Sequence, residues 1–165
     1  MPNPSLILGI DPGLLRTGWG VVSAQSGALK FIACGVIQAP KQHELHARLL
    51  HIHGALREVL SQYKPHEAAV EETFVNVNGA ATLKLGQARG AILLSLSLEG
   101  VPIQEYAATL VKKSVVGVGR AEKSQVSMMV QMLLPGCGKN GADAMDALAV
   151  AICHANHGGA KRMIG

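Results

Sequence analysis

Two apolar runs in this chain each end in an acidic residue. Residues 6–10 precede Asp11, and residues 68–70 precede Glu71. Short, continuous apolar runs predict buried strands, and a carboxylate at the end of a buried strand is costly unless a positive group lies close by. The pattern therefore predicts a central sheet that brings acidic side chains to the ends of its inner strands.

The order of the predicted elements indicates an α/β fold. We predict strands at residues 6–11, 17–24, 28–38, 67–72 and 101–106, and helices at residues 43–63, 80–98, 107–116, 121–134 and 141–156. The chain has 165 residues, of which 48% are hydrophobic and 16% charged, which is typical of one folded domain. We expect a five-stranded mixed sheet flanked by helices over residues 1–157, and a disordered tail over residues 158–165.

A further acidic pair lies in the last predicted helix. Asp143 and Asp146 are three residues apart and share one helix face, and the surrounding alanines allow that helix to lie close to a sheet. The alternative is a solvated first turn, where acidic residues are favoured. Combined with Asp11 and Glu71, the pair predicts a divalent metal site suited to phosphodiester hydrolysis. Glu72 competes with Glu71, because neighbouring strand residues face opposite sides of a sheet.

Basic residues surround a glycine-containing loop that precedes a helix. The candidates for contact with DNA phosphates are Lys112, Lys113, Arg120 and Lys123. The segment from Gly117 to Ser124 nearly matches a nucleotide-binding P-loop, but Glu122 replaces the second glycine and would repel phosphates, which excludes that site. The formal net charge of +4 agrees with a polyanionic substrate. A solvated basic face is the alternative.

Two further features have two interpretations each. Phe74 lies in an asparagine-rich loop, where it either stacks on an unpaired base or packs against its own helix. Gly86 and Gly90 are four residues apart in an apolar helix, which allows close approach of another element of the chain or of a second subunit.

The histidines offer two candidate roles. His43 and His46 are three apart, a spacing that suits zinc but is more typical of a solvated helix face. His154 lies on the same predicted helix as Asp143 and Asp146, which leaves a role in proton transfer open.

The cysteines predict a reducing environment. Cys34, Cys137 and Cys153 are odd in number and contain no C-x-x-C spacing, which is typical of free thiols in an intracellular protein. We find no signal-peptide pattern and no apolar run long enough to cross a bilayer. These observations predict a cytoplasmic protein without membrane contact.

Seven collinear motifs resemble those of the bacterial RuvC Holliday-junction resolvases. They are LGIDPG at 8–13, TGWG at 17–20, AVE at 69–71, LKLGQARG at 83–90, VVGVG at 115–119, AEKSQV at 121–126 and ADAMDALA at 142–149. The resemblance extends from about Leu6 to about His154. LKLGQARG and AEKSQV are far more specific than the short acidic motifs.

The resemblance implies a ribonuclease-H-like fold and a homodimer that makes paired nicks in four-way DNA junctions. It implies that the metal-binding carboxylates are Asp11, Glu71, Asp143 and Asp146, and so favours Glu71 over Glu72. It assigns catalytic lysines to Lys112 and Lys123 and a base-stacking aromatic to Phe74. Two Mg²⁺ ions in each site, with Mn²⁺ as a substitute, would support hydrolysis to 5′-phosphate and 3′-hydroxyl ends. The RuvA–RuvB branch-migration complex is the implied partner.

Two other classes of function are weighed against this one. An actin-like or sugar-kinase-like ATPase also has an Asp-Gly phosphate hairpin, but this chain is short for two lobes and has no second glycine-rich phosphate loop. A non-catalytic junction-binding protein would not need the full set of carboxylates. Cleavage of a four-way junction that depends on a divalent metal distinguishes the resolvase from both.

Overall fold

The computed structural model of the protein describes residues 3–73 and 75–162, the last four by their backbone alone. Ten elements follow one another: β1 (Ser5–Asp11), β2 (Arg16–Gln25), β3 (Ala28–Gln38), α1 (Leu45–Tyr63), β4 (Glu67–Glu71), α2 (Gly79–Leu98), β5 (Ile103–Tyr106), α3 (Ala108–Val116), α4 (Lys123–Leu133) and α5 (Ala142–Arg162). Within the described ranges, no helix is long and apolar enough to cross a membrane.

The five strands form one mixed sheet in the order β3-β2-β1-β4-β5. β1 pairs antiparallel with β2, and β2 with β3, while β1 and β4 are parallel, as are β4 and β5. The predicted five-stranded mixed sheet is confirmed. Because Ile10 pairs with Val70, the next residues along the two strands, Asp11 and Glu71, are neighbours at the carboxyl ends of the central strands.

Helices cover both faces of the sheet. On one face, Ile7 and Ala69 belong to a core shared with α3, α4 and α5. On the other face, Leu8, Ile10 and Val70 pack with α1 and α2. Alternate residues of an inner strand therefore enter different cores, which is why the strands read as continuous apolar runs.

α5 lies unusually close to the sheet because glycines replace side chains beneath it. A Cβ atom on Gly9 would lie 2.1 Å from the carbonyl oxygen of Ala147, and one on Gly18 would lie 1.9 Å from that of Asp143. No side chain fits at either strand position. The backbone of α5 therefore rests directly on β1 and β2, which fixes the height of its acidic residues above the strand ends.

Most element boundaries differ from the prediction by one or two residues, and the end of α5 differs by more. α5 continues to Arg162, whereas the sequence predicts a helix that ends at residue 156, because the weak helix propensity of Gly158 and Gly159 does not end it. Residues 163–165 of the predicted tail lie outside the described residues, so the division into a domain and a disordered tail stays a prediction. α4 begins at Lys123, where Glu122 and Gln125 form a capping box.

Candidate active site

The parity of the strands brings Asp11 and Glu71 to the same face of the sheet. Ile10 and Val70 point towards α1 and α2, so the residue that follows each of them points towards α5. Because of this alternation, Glu71 faces the site and Glu72 is exposed. The residue spacing alone does not decide which of the two glutamates belongs to the site. A hydrogen bond joins the carboxyl groups of Asp11 and Glu71.

α3, α4 and α5 complete a pocket around these carboxyl groups. The pocket has a volume of about 190 Å³, and its lining comprises the charged residues Asp11, Glu71, Lys112, Lys123 and Asp146 and the apolar residues Ala108, Val111, Val126 and Ala149. The Nζ atom of Lys123, the first residue of α4, lies 3.8 Å from Oδ2 of Asp146. Three predicted carboxylates and both predicted catalytic lysines therefore share one cavity.

The pocket disfavours the negative charges that it contains. Burial, the hydrogen bond to Glu71 and the charges of Glu71 and Asp143 raise the pKa of Asp11 to about 8, although Lys123 opposes them. Burial and the charge of Asp11 raise the pKa of Asp146 to about 6. Burial also raises the pKa of Glu71. Such a cluster holds a proton in place of a cation, and a divalent ion would remove the penalty.

Asp143 stands apart from the other three carboxylates. Its Oδ2 accepts a hydrogen bond of 2.8 Å from Nε of Arg16, the first residue of β2. The side chains of Asp143 and Arg16 are 30% and 49% exposed, so the ion pair lies at the rim of the site. Sequence reasoning did not identify Arg16, because nothing in the spacing of the residues relates β2 to α5.

The carboxylates have the chemistry of a divalent metal site, although their side chains do not converge on a single point. Among the described residues, no three His, Cys, Asp or Glu side chains are grouped closely enough to hold a metal ion. Arg16 holds Asp143 outside, and the other three repel one another when charged. Their oxygen donors, burial and raised pKa values fit Mg²⁺ or Mn²⁺. The alternative of zinc at the exposed His43 and His46 gains no third ligand in the described part of the chain.

The remaining predicted DNA contacts lie around the pocket or outside the described residues. Lys113 and Arg120 are exposed and do not line the pocket. Phe74 lies outside the described residues. Its loop runs beside a second cavity of about 250 Å³ that includes Asp11 and Glu71 in its lining and is separate from the lysines. The exposed Val75 and Val77 flank Asn76 on that loop.

His154 has a structural environment that excludes the role in proton transfer which the sequence leaves open. Its Nε2 lies 2.6 Å from Oε2 of Glu67, and its Nδ1 lies 2.8 Å from the hydroxyl oxygen of Tyr106. Glu67 begins β4, whereas Glu71 ends it. His154 is therefore at the opposite end of the strand from the pocket, about three turns of α5 away from Asp143.

Gly86 and Gly90 are open to the outside of α2. A Cβ atom on either glycine would meet nothing within 4 Å. Leu83, Leu94 and Leu98 of the same helix are exposed. Packing within the chain therefore does not require these glycines, in contrast to Gly9.

Comparisons with known proteins agree with this arrangement. A family model described as crossover junction endodeoxyribonuclease RuvC matches residues 7–154. The chain is 57% identical over 158 residues to a protein of that name from Xanthobacter autotrophicus, with 96% of this chain and 94% of the relative covered. It is 56% identical over 158 residues to one from Paramagnetospirillum magneticum, with 96% and 95% covered.

A solved structure also matches over most of the chain. The Thermus thermophilus RuvC in complex with Holliday junction substrate superimposes with a TM-score of 0.86 at 32% identity, covering 93% of this chain and 94% of that one. The ribonuclease-H-like fold that the sequence motifs imply is confirmed by this match.

Proposed function

Because this chain belongs to the RuvC family of crossover junction endodeoxyribonucleases, we propose that it resolves four-way DNA junctions during recombination and repair. The reaction is a pair of symmetric nicks in opposed strands, each leaving a 5′-phosphate and a 3′-hydroxyl. One observation carries the proposal: Asp11, Glu71 and Asp146 share a pocket with Lys112 and Lys123 at the strand ends.

The metal ligands in this proposal are Asp11, Glu71, Asp143 and Asp146. Their oxygen donors and the burial of the first two favour two Mg²⁺ ions, with Mn²⁺ as a substitute. When bound, such ions lower the pKa of a water molecule and polarise the scissile phosphate. The carboxylates supply the negative charge that retains the ions, and the apolar wall of the pocket limits competing water.

In this proposal the two lysines of the pocket stabilise negative charge on the scissile phosphate and do not transfer protons. Lys112 and Lys123 line the same cavity as the carboxylates, so their ammonium groups lie where negative charge develops on the phosphate. Lys113 and Arg120, which are exposed outside the pocket, bind backbone phosphates along the path of the strand. In the same proposal Phe74 stacks on a base that the junction leaves unpaired.

A homodimer supplies the second nick. A two-fold dimer presents two identical sites to the opposed strands of a two-fold junction. The outer face of α2 supports this role, because its open glycines and exposed leucines form an apolar stripe that a second copy would bury: Leu83, Gly86, Gly90, Leu94 and Leu98. The branch-migration partner RuvA–RuvB and a cytoplasmic location complete the proposal; the free thiols support the latter.

Incubation with a labelled four-way junction tests the chemistry. We expect paired nicks with Mg²⁺ and none with chelator, while the chelated protein still binds the junction. The products must be ligatable, because each nick leaves a 5′-phosphate beside a 3′-hydroxyl. Binding without cutting at any concentration of Mg²⁺ or Mn²⁺ would contradict an enzymatic role.

Sedimentation tests the dimer. Gly90→Leu should convert the protein to a monomer and uncouple the two nicks, because the new side chain would occupy the stripe on α2. Gly54→Leu is the matched control, since Gly54 is also a helical glycine whose Cβ would meet nothing within 4 Å, but it lies on α1. A monomeric wild-type protein that still makes paired nicks would remove the dimer from the mechanism.

A further inference from the structure

The fourth carboxylate of the site is held by an arginine to which the proposed chemistry gives no role. Nε of Arg16 donates to Oδ2 of Asp143 over 2.8 Å. The pocket that contains Asp11, Glu71 and Asp146 does not include Asp143 in its lining. The arginine therefore occupies a carboxylate oxygen that a metal ion in the pocket would need.

Asp143 cannot approach the pocket by movement of its helix. Its carbonyl oxygen rests on Gly18, where even a Cβ atom would lie 1.9 Å away, so α5 is already in contact with β2 at this residue. Only rotation of the Asp143 side chain can exchange Arg16 for the pocket. Such a rotation breaks the ion pair, and it becomes favourable when the guanidinium gains a stronger partner.

A DNA phosphate is the partner that the position of Arg16 favours. Arg16 lies at the start of β2, just beyond the strand end that carries Asp11, and 49% of its side chain is exposed. Guanidinium groups bind phosphates through two parallel hydrogen bonds, whereas exposed ion pairs between side chains contribute little. A phosphodiester delivered to the pocket therefore competes well for the arginine.

We propose that Arg16 is a positioning residue that keeps Asp143 out of the metal site until a backbone phosphate binds its guanidinium and releases the carboxylate. This inference rests on the proposed function, since it concerns the metal ligands and the substrate of that function. It makes DNA binding and metal binding mutually favourable, because each completes what the other requires. In the absence of DNA, the protein therefore holds few complete metal sites.

Two equilibrium measurements test the proposal without any turnover. The first is the affinity of the DNA-free protein for Mn²⁺ by calorimetry, and Arg16→Met should bind Mn²⁺ about 2- to 5-fold more tightly, because the exposed ion pair with Asp143 no longer opposes metal binding. The second is the salt dependence of binding to a four-way junction in chelator. The slope of log K against log salt should fall by about 1 in Arg16→Met, since one phosphate contact is lost, and should stay near the wild-type value in Arg16→Lys.

Two controls separate this role from a general effect of charge. In an Asp143→Asn background, Arg16→Met should leave the Mn²⁺ affinity unchanged, because there is no carboxylate to release. Arg57→Met removes another exposed arginine whose Nε pairs with a carboxylate, Glu99, at 3.3 Å on the far helices, and should not alter the Mn²⁺ affinity. Tighter Mn²⁺ binding that persists without the Asp143 carboxylate would overturn the proposal.

The opposite results are equally decisive. Weaker Mn²⁺ binding in Arg16→Met would mean that the arginine orients Asp143 for the metal, and an unchanged salt slope would mean that no phosphate binds it; either result refutes the release mechanism. These failures are distinct from failure of the proposed function. That function fails if the wild-type protein neither binds Mn²⁺ nor cuts a junction, whereas release by Arg16 can fail in a wild-type protein that does both.

Discussion

The two ends of β4 hold carboxyl groups in opposite electrostatic situations. At the carboxyl end, Glu71 meets Asp11 and Asp146, and burial raises the pKa of all three. At the amino end, Glu67 lies 2.6 Å from Nε2 of His154, whose Nδ1 lies 2.8 Å from the Tyr106 hydroxyl. One cluster is left with mutual repulsion, and the other is completed by hydrogen bonds.

This difference distinguishes carboxyl groups that serve the reaction from a carboxyl group that stabilises the fold. A buried carboxylate that is paired and hydrogen-bonded stabilises the packing of the elements that it joins, here β4, β5 and α5. A buried cluster of like charges lowers stability and persists where a ligand offsets the cost. The same two elements, β4 and α5, carry both clusters, so variants at each end can be compared in one protein.

The largest expected effect is loss of cutting at the acidic end. Glu71→Gln should reduce junction cleavage by on the order of 10³-fold or more, because a metal ligand is lost, while junction binding persists. Glu72→Gln is the matched control: it removes the same charge one residue along, from an exposed side chain, and should cut normally. Gel assays of cutting and binding measure both, and a Glu71→Gln protein that cuts at near-native rate would remove Glu71 from the site.

At the amino end, the expected effect falls on stability instead. His154→Ala should lower the free energy of unfolding by about 2–4 kcal/mol, because it leaves the carboxylate of Glu67 and the Tyr106 hydroxyl without the imidazole between them. Specific activity below the melting transition should be retained. His157→Ala is the control, since His157 is exposed and its Nδ1 contacts the carbonyl oxygen of Cys153 in its own helix. If His154→Ala abolished cutting in a folded protein, the separation of the two ends would be wrong.

The acidic end should also make stability depend on pH. The pKa of Asp11 is about 8 in the folded protein and near 3.8 in an unfolded chain, so the folded state holds the proton more tightly. The contribution of the Asp11 proton to the free energy of unfolding is therefore fully present below about pH 4. It is lost as the pH rises through 8. Without metal, the free energy of unfolding should fall by roughly 1–3 kcal/mol between pH 5 and pH 8.

A substitution and a bound metal ion should each cancel the loss of stability at high pH. Asp11→Asn should flatten the pH dependence and raise the melting temperature at pH 8, because the repelled charge is absent. Mg²⁺ should raise the melting temperature of the wild-type protein more at pH 8 than at pH 5. Melting curves that are independent of pH and of Mg²⁺ would show that the carboxyl groups of the pocket do not destabilise one another.

The acidic end is largely predictable from the sequence, and the amino end is not. Asp11 and Glu71 each end an apolar run, and a right-handed crossover permits strands one and four to be neighbours. The Asp143 and Asp146 spacing fixes their shared face. By contrast, contacts such as Arg16 with Asp143 and His154 with Glu67 join elements more than 80 residues apart, and local periodicity carries no information about which side chains meet across such distances.

The same limit explains two other differences. Strand parity distinguishes Glu71 from Glu72 only when it is known which core Val70 enters, and that depends on tertiary packing. The predicted end of α5 is too early because glycine propensity is a weak local preference, which the packed helix overrides. Sequence patterns thus indicate which charged groups are buried, whereas the tertiary fold determines which side chains pair with them.

The smallest expected effect concerns a single hydroxyl at the amino end. Burial raises the pKa of Tyr106 to about 12, so its hydroxyl stays protonated at neutral pH and shares a hydrogen bond with Nδ1 of His154, whose Nε2 is hydrogen-bonded to Glu67. Tyr106→Phe removes one of these bonds and should cost about 1 kcal/mol. Tyr63→Phe, whose ring contacts Trp19 on the other face of the sheet, is the control and should cost less.

A double-mutant cycle measures whether the Tyr106 hydroxyl acts through His154. If the Tyr106 hydroxyl stabilises the protein through His154, then Tyr106→Phe should cost almost nothing in a His154→Ala background, and the coupling energy should equal most of the single-mutant loss. An equal cost in both backgrounds would mean that the hydroxyl acts elsewhere and that the chain from Tyr106 to Glu67 is not one unit. Denaturant unfolding at pH 7 measures all four proteins. Because none of these changes touches the pocket at the other end of β4, junction cleavage at low temperature should be unaltered throughout the cycle.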